Sequence, residues 1–166
     1  MSKPIFNPDD VFQFESTLGE EERLIMESAR EYAQTHLEPR ALEGNQEGVF
    51  HEELPKELGE LGLLGATLRE EYGGVGASHT AYGLIARELE RVDSGYRSFA
   101  SVQSSLVMHP INIFGTEELK QKYLPRLATA ELIGCFGLTE PDHGSDPGSM
   151  TTTAVRGDGG WILNGA

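Results

Sequence analysis

Basic residues are scarce in this chain. Lys and Arg number 13 against 27 Asp and Glu, a formal net charge of −14 over 166 residues. Releasing counterions from a phosphate backbone needs clustered cations, so this balance argues against a nucleic-acid partner, and it disfavours docking on an anionic membrane surface. Cysteine is nearly absent. The single Cys135 rules out a disulfide framework, and its place in the apolar run "LIGCFGL" predicts a buried, inert thiol. Long apolar runs are missing too, and none approaches the roughly 20 residues that span a bilayer. The opening stretch "MSKPIFNPDDVFQFES" carries acids where a signal or transit peptide carries Arg or Lys. The expected setting is a soluble, cytoplasmic protein.

Several chemical motifs are also lacking. The loop "GGVGAS" has no third glycine and follows no clear strand, so it fails as a dinucleotide fingerprint. The five histidines, at 36, 51, 79, 109 and 143, show no metal-ligand spacing. His143, Ser145 and Asp146 stand too close in sequence to converge as a nucleophile, base and orienter.

What is present is a globular composition, 38% hydrophobic and 24% charged, organised as helices first and strands second. Residues 1–15 read as an irregular arm. Helical spacing then starts near Thr17, with Glu20 placed for a capping box, and Pro39 ends it. Residues 40–50 read as a loop. A short helix follows, with Leu54, Leu58 and Leu61 on one face and Gly62 as its stop. The glycine-rich stretch 69–78 leads to Ser78, a candidate N-cap for a helix carrying Ala81, Leu84, Ile85, Leu89 and Val92. A further helix begins after Ser94-Gly95, with Phe99, Val102 and Leu106 inward and Pro110 as a kink or break. Thr116 caps the next helix, with Leu119, Tyr123 and Leu127 on one stripe and Pro125 disturbing its second half. From about residue 131 the character changes: "LIGCFGL" reads as a buried strand, "TTTAVR" and "WILNG" as strands, and "GDGG" as a turn between them. The expected fold class is α+β, with a helical domain over residues 1–130 and the start of an incomplete β domain over 131–166.

Two constellations carry candidate chemistry. In "CFGLTEPDHGSD" an apolar strand opens into Thr139, Gly144 and Ser145. Glycines there let a flat or phosphorylated ligand approach the main chain, Thr139 can bond a heteroaromatic edge, and Phe136 and Leu138 supply an apolar wall. An ordinary strand-to-loop exit has the same composition. In "RVDSGYRSFASVQSSLVMHP" one guanidinium, Arg97, sits among neutral small residues and can clamp a ligand carboxylate, with Ser98 adding a hydroxyl. A structural arginine paired with Asp93 at i−4 is the competing reading. Gln103, Ser104 and Ser105 read either as pocket groups or as small and polar residues at a helix contact.

These stretches resemble a known family. "EEYGGVG", "KYLPRLATAE" and "GCFGLTEPDHGSDPGSM" look like signatures of the acyl-CoA dehydrogenases, and "GYRS" beside "SVQSSL" is similar to that family's glutaryl-CoA branch. The likeness runs from about residue 15 onward. It implies an N-terminal helical domain, a middle β domain and a C-terminal helical bundle, assembled as a homotetramer with FAD. By that likeness Phe136, Leu138 and Thr139 face the flavin. Ser145 touches the thioester's pantetheine arm and the flavin, and Arg97 and Ser98 hold the distal carboxylate of glutaryl-CoA. Electron-transferring flavoprotein is the implied partner. The family's glutamate base has no match here and is expected beyond Ala166. A non-catalytic helical module that acts in oligomerisation or partner binding is the alternative expectation.

Overall fold

The structure is a computed structural model that describes Pro8 and residues 10–165. Most of the arm expected over 1–15 lies outside the described residues. The described residues form two units, one within Met1–Cys135 and one within Phe136–Ala166.

The first unit is helical. A single 3₁₀ turn, Phe14–Thr17, is held by the Asp10 carboxylate, which accepts from the Phe14 and Glu15 amides at 2.6 and 3.0 Å. Helix α1 (Glu20–Tyr32) then starts one turn later than the sequence suggested. The residue that folds back is Glu22 rather than Glu20. Its carboxylate accepts the Gly19 amide at 3.1 Å and the Ser78 hydroxyl at 2.7 Å, so one side chain serves the starts of two helices.

Pro39 does not end this helical line. The chain passes through a π turn, Ala33–Leu37, into α2 (Glu38–Glu47), and the Glu38 amide reaches back five residues to the Ala33 carbonyl. The expected loop at 40–50 is therefore mostly helix, closed by Gly48 at φ 66°. The same device recurs at Pro110. Helix α5 (Ser94–Ser101) runs into a π turn, Val102–Met108, and on into α6 (His109–Phe114), with the His109 amide on the Ser104 carbonyl. Proline removes a donor and its ring clashes with the carbonyl four residues back. A wider turn just before it relieves that clash without breaking the line. It also rotates the buried face, so Gln103, Val107 and Met108 point inward while Leu106, expected inward, is exposed.

Between these lie α3 (Leu54–Glu60) and α4 (His79–Glu90), and after them α7 (Glu117–Ala128). Ser78 and Thr116 cap α4 and α7 as expected, accepting from the Ala81 and Leu119 amides. Leu61 and Leu119 are more exposed than expected. The core gathers Leu37, Leu54, Leu58, Leu64, Tyr72, Met108 and Leu124, all essentially inaccessible. A second hub is ionic. Glu88, 2% exposed, receives the guanidiniums of Arg30 and Arg87 at 3.1 and 2.7 Å. Burial alone would push its carboxyl up, but those two arginines more than offset that and hold it below the usual range.

The second unit contains one antiparallel hairpin. Strands β1 (Thr153–Gly157) and β2 (Gly160–Asn164) pair from Thr153 opposite Asn164 to Gly157 opposite Gly160. Asp158-Gly159 forms the two-residue turn, with Gly159 at φ 96°. The stretch "LIGCFGL" is not a strand, because among the described residues no neighbouring strand completes a ladder with it. Cys135 is accordingly exposed, not buried.

Two helical glycines give opposite expectations. A Cβ on Gly59 would lie 2.7 Å from the Thr129 carbonyl carbon, whereas one on Gly83 would meet nothing within 4 Å. Gly59→Ala should destabilise by about 1–3 kcal/mol through overpacking, and Gly83→Ala should stabilise by roughly 0.5–1 kcal/mol through helix propensity. Urea midpoints measure both, and shifts of the same sign would contradict this packing.

Candidate functional site

Arg97 and Ser98 belong to the helical unit and lie one turn into α5. The helix starts at Asp93, whose carboxylate accepts the Gly95 and Tyr96 amides at 2.7 and 3.3 Å, with Asn45 donating to its second oxygen at 3.2 Å. Asp93 is thus occupied as a cap and does not pair with the Arg97 side chain. Arg97 turns instead to Glu90, the last residue of α4. Its Nε donates to Glu90 Oε2 at 2.6 Å, and Nη1 donates to the Ser101 hydroxyl at 3.4 Å. Glu90 also accepts the Ser94 hydroxyl at 2.6 Å. These contacts, Arg97 first and Ser94 next, hold the Glu90 carboxyl below the usual carboxylate range.

The Arg97 side chain is 36% exposed, and its Nη2 has no hydrogen-bond partner among the described residues. The guanidinium is therefore oriented at one edge and open at another, an arrangement able to receive an anionic oxygen. Ser98 beside it is half-buried. A small cavity of about 170 Å³ opens near the start of α5, lined in part by Gly44, Phe50 and Tyr96, and neither Arg97 nor Ser98 lines it.

Phe136, Leu138, Thr139 and Ser145 belong to the second unit. Phe136–Thr139 lies in no helix or strand, and its backbone makes no hydrogen bond among the described residues. Phe136 and Leu138 are 48% and 40% exposed. The chain then reverses in a four-residue turn with Pro141 at its second position. The Glu140 amide bonds the His143 carbonyl at 3.3 Å and the His143 amide bonds the Glu140 carbonyl at 3.2 Å. This turn sets Thr139 beside Gly144, where a Cβ would stand 3.9 Å from Thr139 Cγ2, and so brings Thr139 close to the Ser145 segment.

Sequence reasoning passed over the residue that holds this loop. Glu140 is only 6% exposed, and its carboxylate accepts the Thr151 and Thr152 amides, each at 2.8 Å, and the Thr151 hydroxyl at 3.0 Å. Contacts from Thr152 first, then the Thr151 amide, hold its carboxyl at about 2. A glutamate in a polar loop gives no periodic signal; the only hint is the pair of threonines, Thr151 and Thr152, just ahead of the next strand. Glu90 was missed as well, because it reaches Arg97 across a helix corner rather than along one helix.

Residues 19–131 match the family model described as "Acyl-CoA dehydrogenase, N-terminal domain". The chain belongs to the acyl-CoA dehydrogenase family. An acyl-CoA dehydrogenase of Bacillus subtilis (strain 168) is 37% identical over 147 residues, which cover 89% of this chain and 39% of the relative. The crystal structure of a glutaryl-CoA dehydrogenase from Mycobacterium smegmatis in complex with FADH2 superposes with a TM-score of 0.91 at 45% identity, covering 97% of this chain and 42% of that one. The butyryl-CoA dehydrogenase of Megasphaera elsdenii gives a TM-score of 0.84 at 35% identity, covering 90% of this chain and 40% of that one. The chain thus spans about two fifths of the length of these relatives. The expected fold, a family-type helical N-terminal domain leading into the first strands of a sheet, is borne out. No helix among the described residues is long and apolar enough to cross a membrane.

The sign of the Glu140 effect is fixed by its direction. Its folded value lies below the usual 4.5, so the stabilisation it gives the loop is complete above that value and is lost as pH falls towards about 2. A carboxyl carbon NMR titration should show a midpoint near 2 for Glu140, with the Thr151 and Thr152 amides shifting in step. A midpoint near 4.5 would mean that the carboxylate does not hold these amides.

Proposed function

We propose that this chain is the N-terminal part of an FAD-dependent acyl-CoA dehydrogenase that oxidises glutaryl-CoA at its α,β bond and carries the product on to crotonyl-CoA with loss of carbon dioxide. The observation that carries the substrate reading is Arg97. It is half-buried, fixed at Nε by Glu90 and unpartnered at Nη2 among the described residues. A carboxylate at the far end of an acyl chain would complete its hydrogen bonds. An acyl chain ending in a methyl group would leave it unpaired at a cost. The Ser98 hydroxyl would supply a further donor to the same carboxylate.

The residues present fit a flavin. Phe136 and Leu138 offer exposed apolar surface, the main chain beside them is free, and the Thr139 hydroxyl has no partner among the described residues. A flat heteroaromatic ring needs such a surface: apolar contact on its face and polar contact at its edge. Bound FAD would supply the acceptor for the hydride that leaves the β carbon. Thr139 would hydrogen-bond the ring's polar edge. Ser145, placed near Thr139 by the turn at Pro141, would contact both the cofactor and the pantetheine arm. Arg97 and Ser98 would fix the acyl chain's length and register, so that the α and β carbons stand where a base and the flavin can act on them. No acid of this chain is assigned as that base. In this reading the complete enzyme is a cytoplasmic homotetramer, a helical domain over 1–130 leads into its β domain, and electron-transferring flavoprotein reoxidises it.

One observation favours a second reading, a short-chain acyl-CoA dehydrogenase. The Glu90 carboxylate already neutralises Arg97, so the pair as it stands carries no net positive charge. The butyryl-CoA enzyme among the structural relatives is consistent with that alternative. Substrate preference separates the two. In the complete, flavin-loaded enzyme, Arg97→Ala should lower kcat/KM for glutaryl-CoA by about 100-fold or more, as expected for losing one partner of a charge-assisted contact. The loss for butyryl-CoA should stay within about fivefold. Equal losses on both substrates would remove the carboxylate role and favour the short-chain reading.

A further inference from the structure

Three polar or charged side chains are buried among the described residues: Glu88, Gln103 and Glu140. Glu88 is the hub of the ionic cluster between α1 and α4. The other two hold the two ends of one short segment. Gln103, 2% exposed, donates from Nε2 to the Gly134 carbonyl at 2.9 Å and accepts the Gly134 amide on Oε1 at 2.9 Å. Its side-chain amide thus satisfies both backbone groups of one residue, as a paired strand would. At the other end, Glu140 takes the Thr151 and Thr152 amides. Between Gly134 and Glu140 the backbone makes no hydrogen bond among the described residues.

Both ends show local adaptation. The π turn at Val102–Met108 is what brings Gln103 to the buried face. Gly134 leaves no room for a side chain, since a Cβ there would fall within 2.4 Å of Val107 Cγ1. Burying an amide and a carboxylate costs free energy unless every polar atom finds a partner, and here each does so on the main chain.

We propose that Gln103 and Glu140 are positioning residues that clamp the two ends of Cys135–Thr139, so that the main chain and side chains of Phe136–Thr139 stay open to the flavin while their path is fixed. The proposal rests on the reading of Phe136–Thr139 as a flavin-facing segment. Neither residue touches the cofactor or the substrate. Gln103 holds the segment where it leaves the helical unit, and Glu140 holds it where the loop reverses.

Amide exchange of the chain, followed by NMR, tests the clamp without any variant. The Gly134 amide should exchange at least about tenfold more slowly than that of Gly137, which has no partner; equal rates would overturn the clamp. Gln103→Met keeps the volume and removes both hydrogen bonds. It should abolish the Gly134 protection and shift or broaden the resonances of Phe136–Thr139, while Tyr72→Phe, which breaks the core's hydrogen bonds to Glu117, should leave those resonances in place. Resonances of Phe136–Thr139 unmoved by Gln103→Met would overturn the positioning role. If Gln103→Met does not fold, Gly134→Ala attacks the same contact from the other side and is read in the same way. In the complete protein titrated with FAD, Gln103→Met and Glu140→Gln should each weaken binding at least tenfold and alter the circular dichroism of the visible flavin bands, with Tyr72→Phe leaving both unchanged. Wild-type protein that fails to take up FAD would count against the proposed function and leave the exchange result standing on its own. FAD binding and spectra that are unchanged in both variants would overturn the inference alone.

Discussion

Among the described residues three prolines fall inside helical lines; α7 runs on through Pro125, and the way the backbone accommodates the other two, Pro39 and Pro110, shapes the helical unit. An α-helix cannot carry a proline without losing a donor and crowding the carbonyl four residues earlier. Here the chain widens to a π turn just ahead of Pro39 and again ahead of Pro110, and both lines continue. The second turn has the larger consequence. It changes the buried face part-way along the line from Ser94 to Phe114, so that the first part can keep Arg97 half-exposed while the next turns Gln103, Val107 and Met108 into the core. One backbone irregularity thus separates a residue that can meet a ligand from one that holds the protein's own main chain.

Among the described residues buried polar side chains are few, and no buried side-chain nitrogen or oxygen lacks a hydrogen bond. They are also placed where the fold lacks regular ladders. Glu88 ties α1 to α4. Gln103 replaces a missing strand partner at Gly134, and Glu140 closes the loop that a proline turn begins. Apolar packing sets the helical core, and these three groups fix the places that apolar packing leaves undirected.

The sequence made most helices legible, because caps and apolar spacing agree. Ser78 and Thr116 cap as read, and Leu54, Leu58, Leu84, Ile85 and Leu89 are buried as their spacing requires. Proline and absent neighbours account for the differences. Pro39 reads as a stop because a π turn leaves no mark in a pattern of apolar residues, and Leu106 reads as inward for the same reason. The apolar run around Cys135 reads as a buried strand, but among the described residues no partner strand completes its ladder. At the candidate site, Arg97, Thr139 and Ser145 were legible as residue types in suggestive company. Their holders were not, since Glu90 and Glu140 act across a corner and across a loop, where no sequence period operates.

In the proposed function Arg97, steered by Glu90, receives the distal carboxylate of a dicarboxylic acyl-CoA. The most direct test is a crystal structure of the complete, FAD-loaded protein with a non-reactive glutaryl-CoA analogue. The distal carboxylate should lie within hydrogen-bond distance of Arg97 Nη2 and Ser98, with Glu90 still on Nε. An analogue whose carboxylate lies in solvent, with Arg97 contacting no part of it, would contradict the claim.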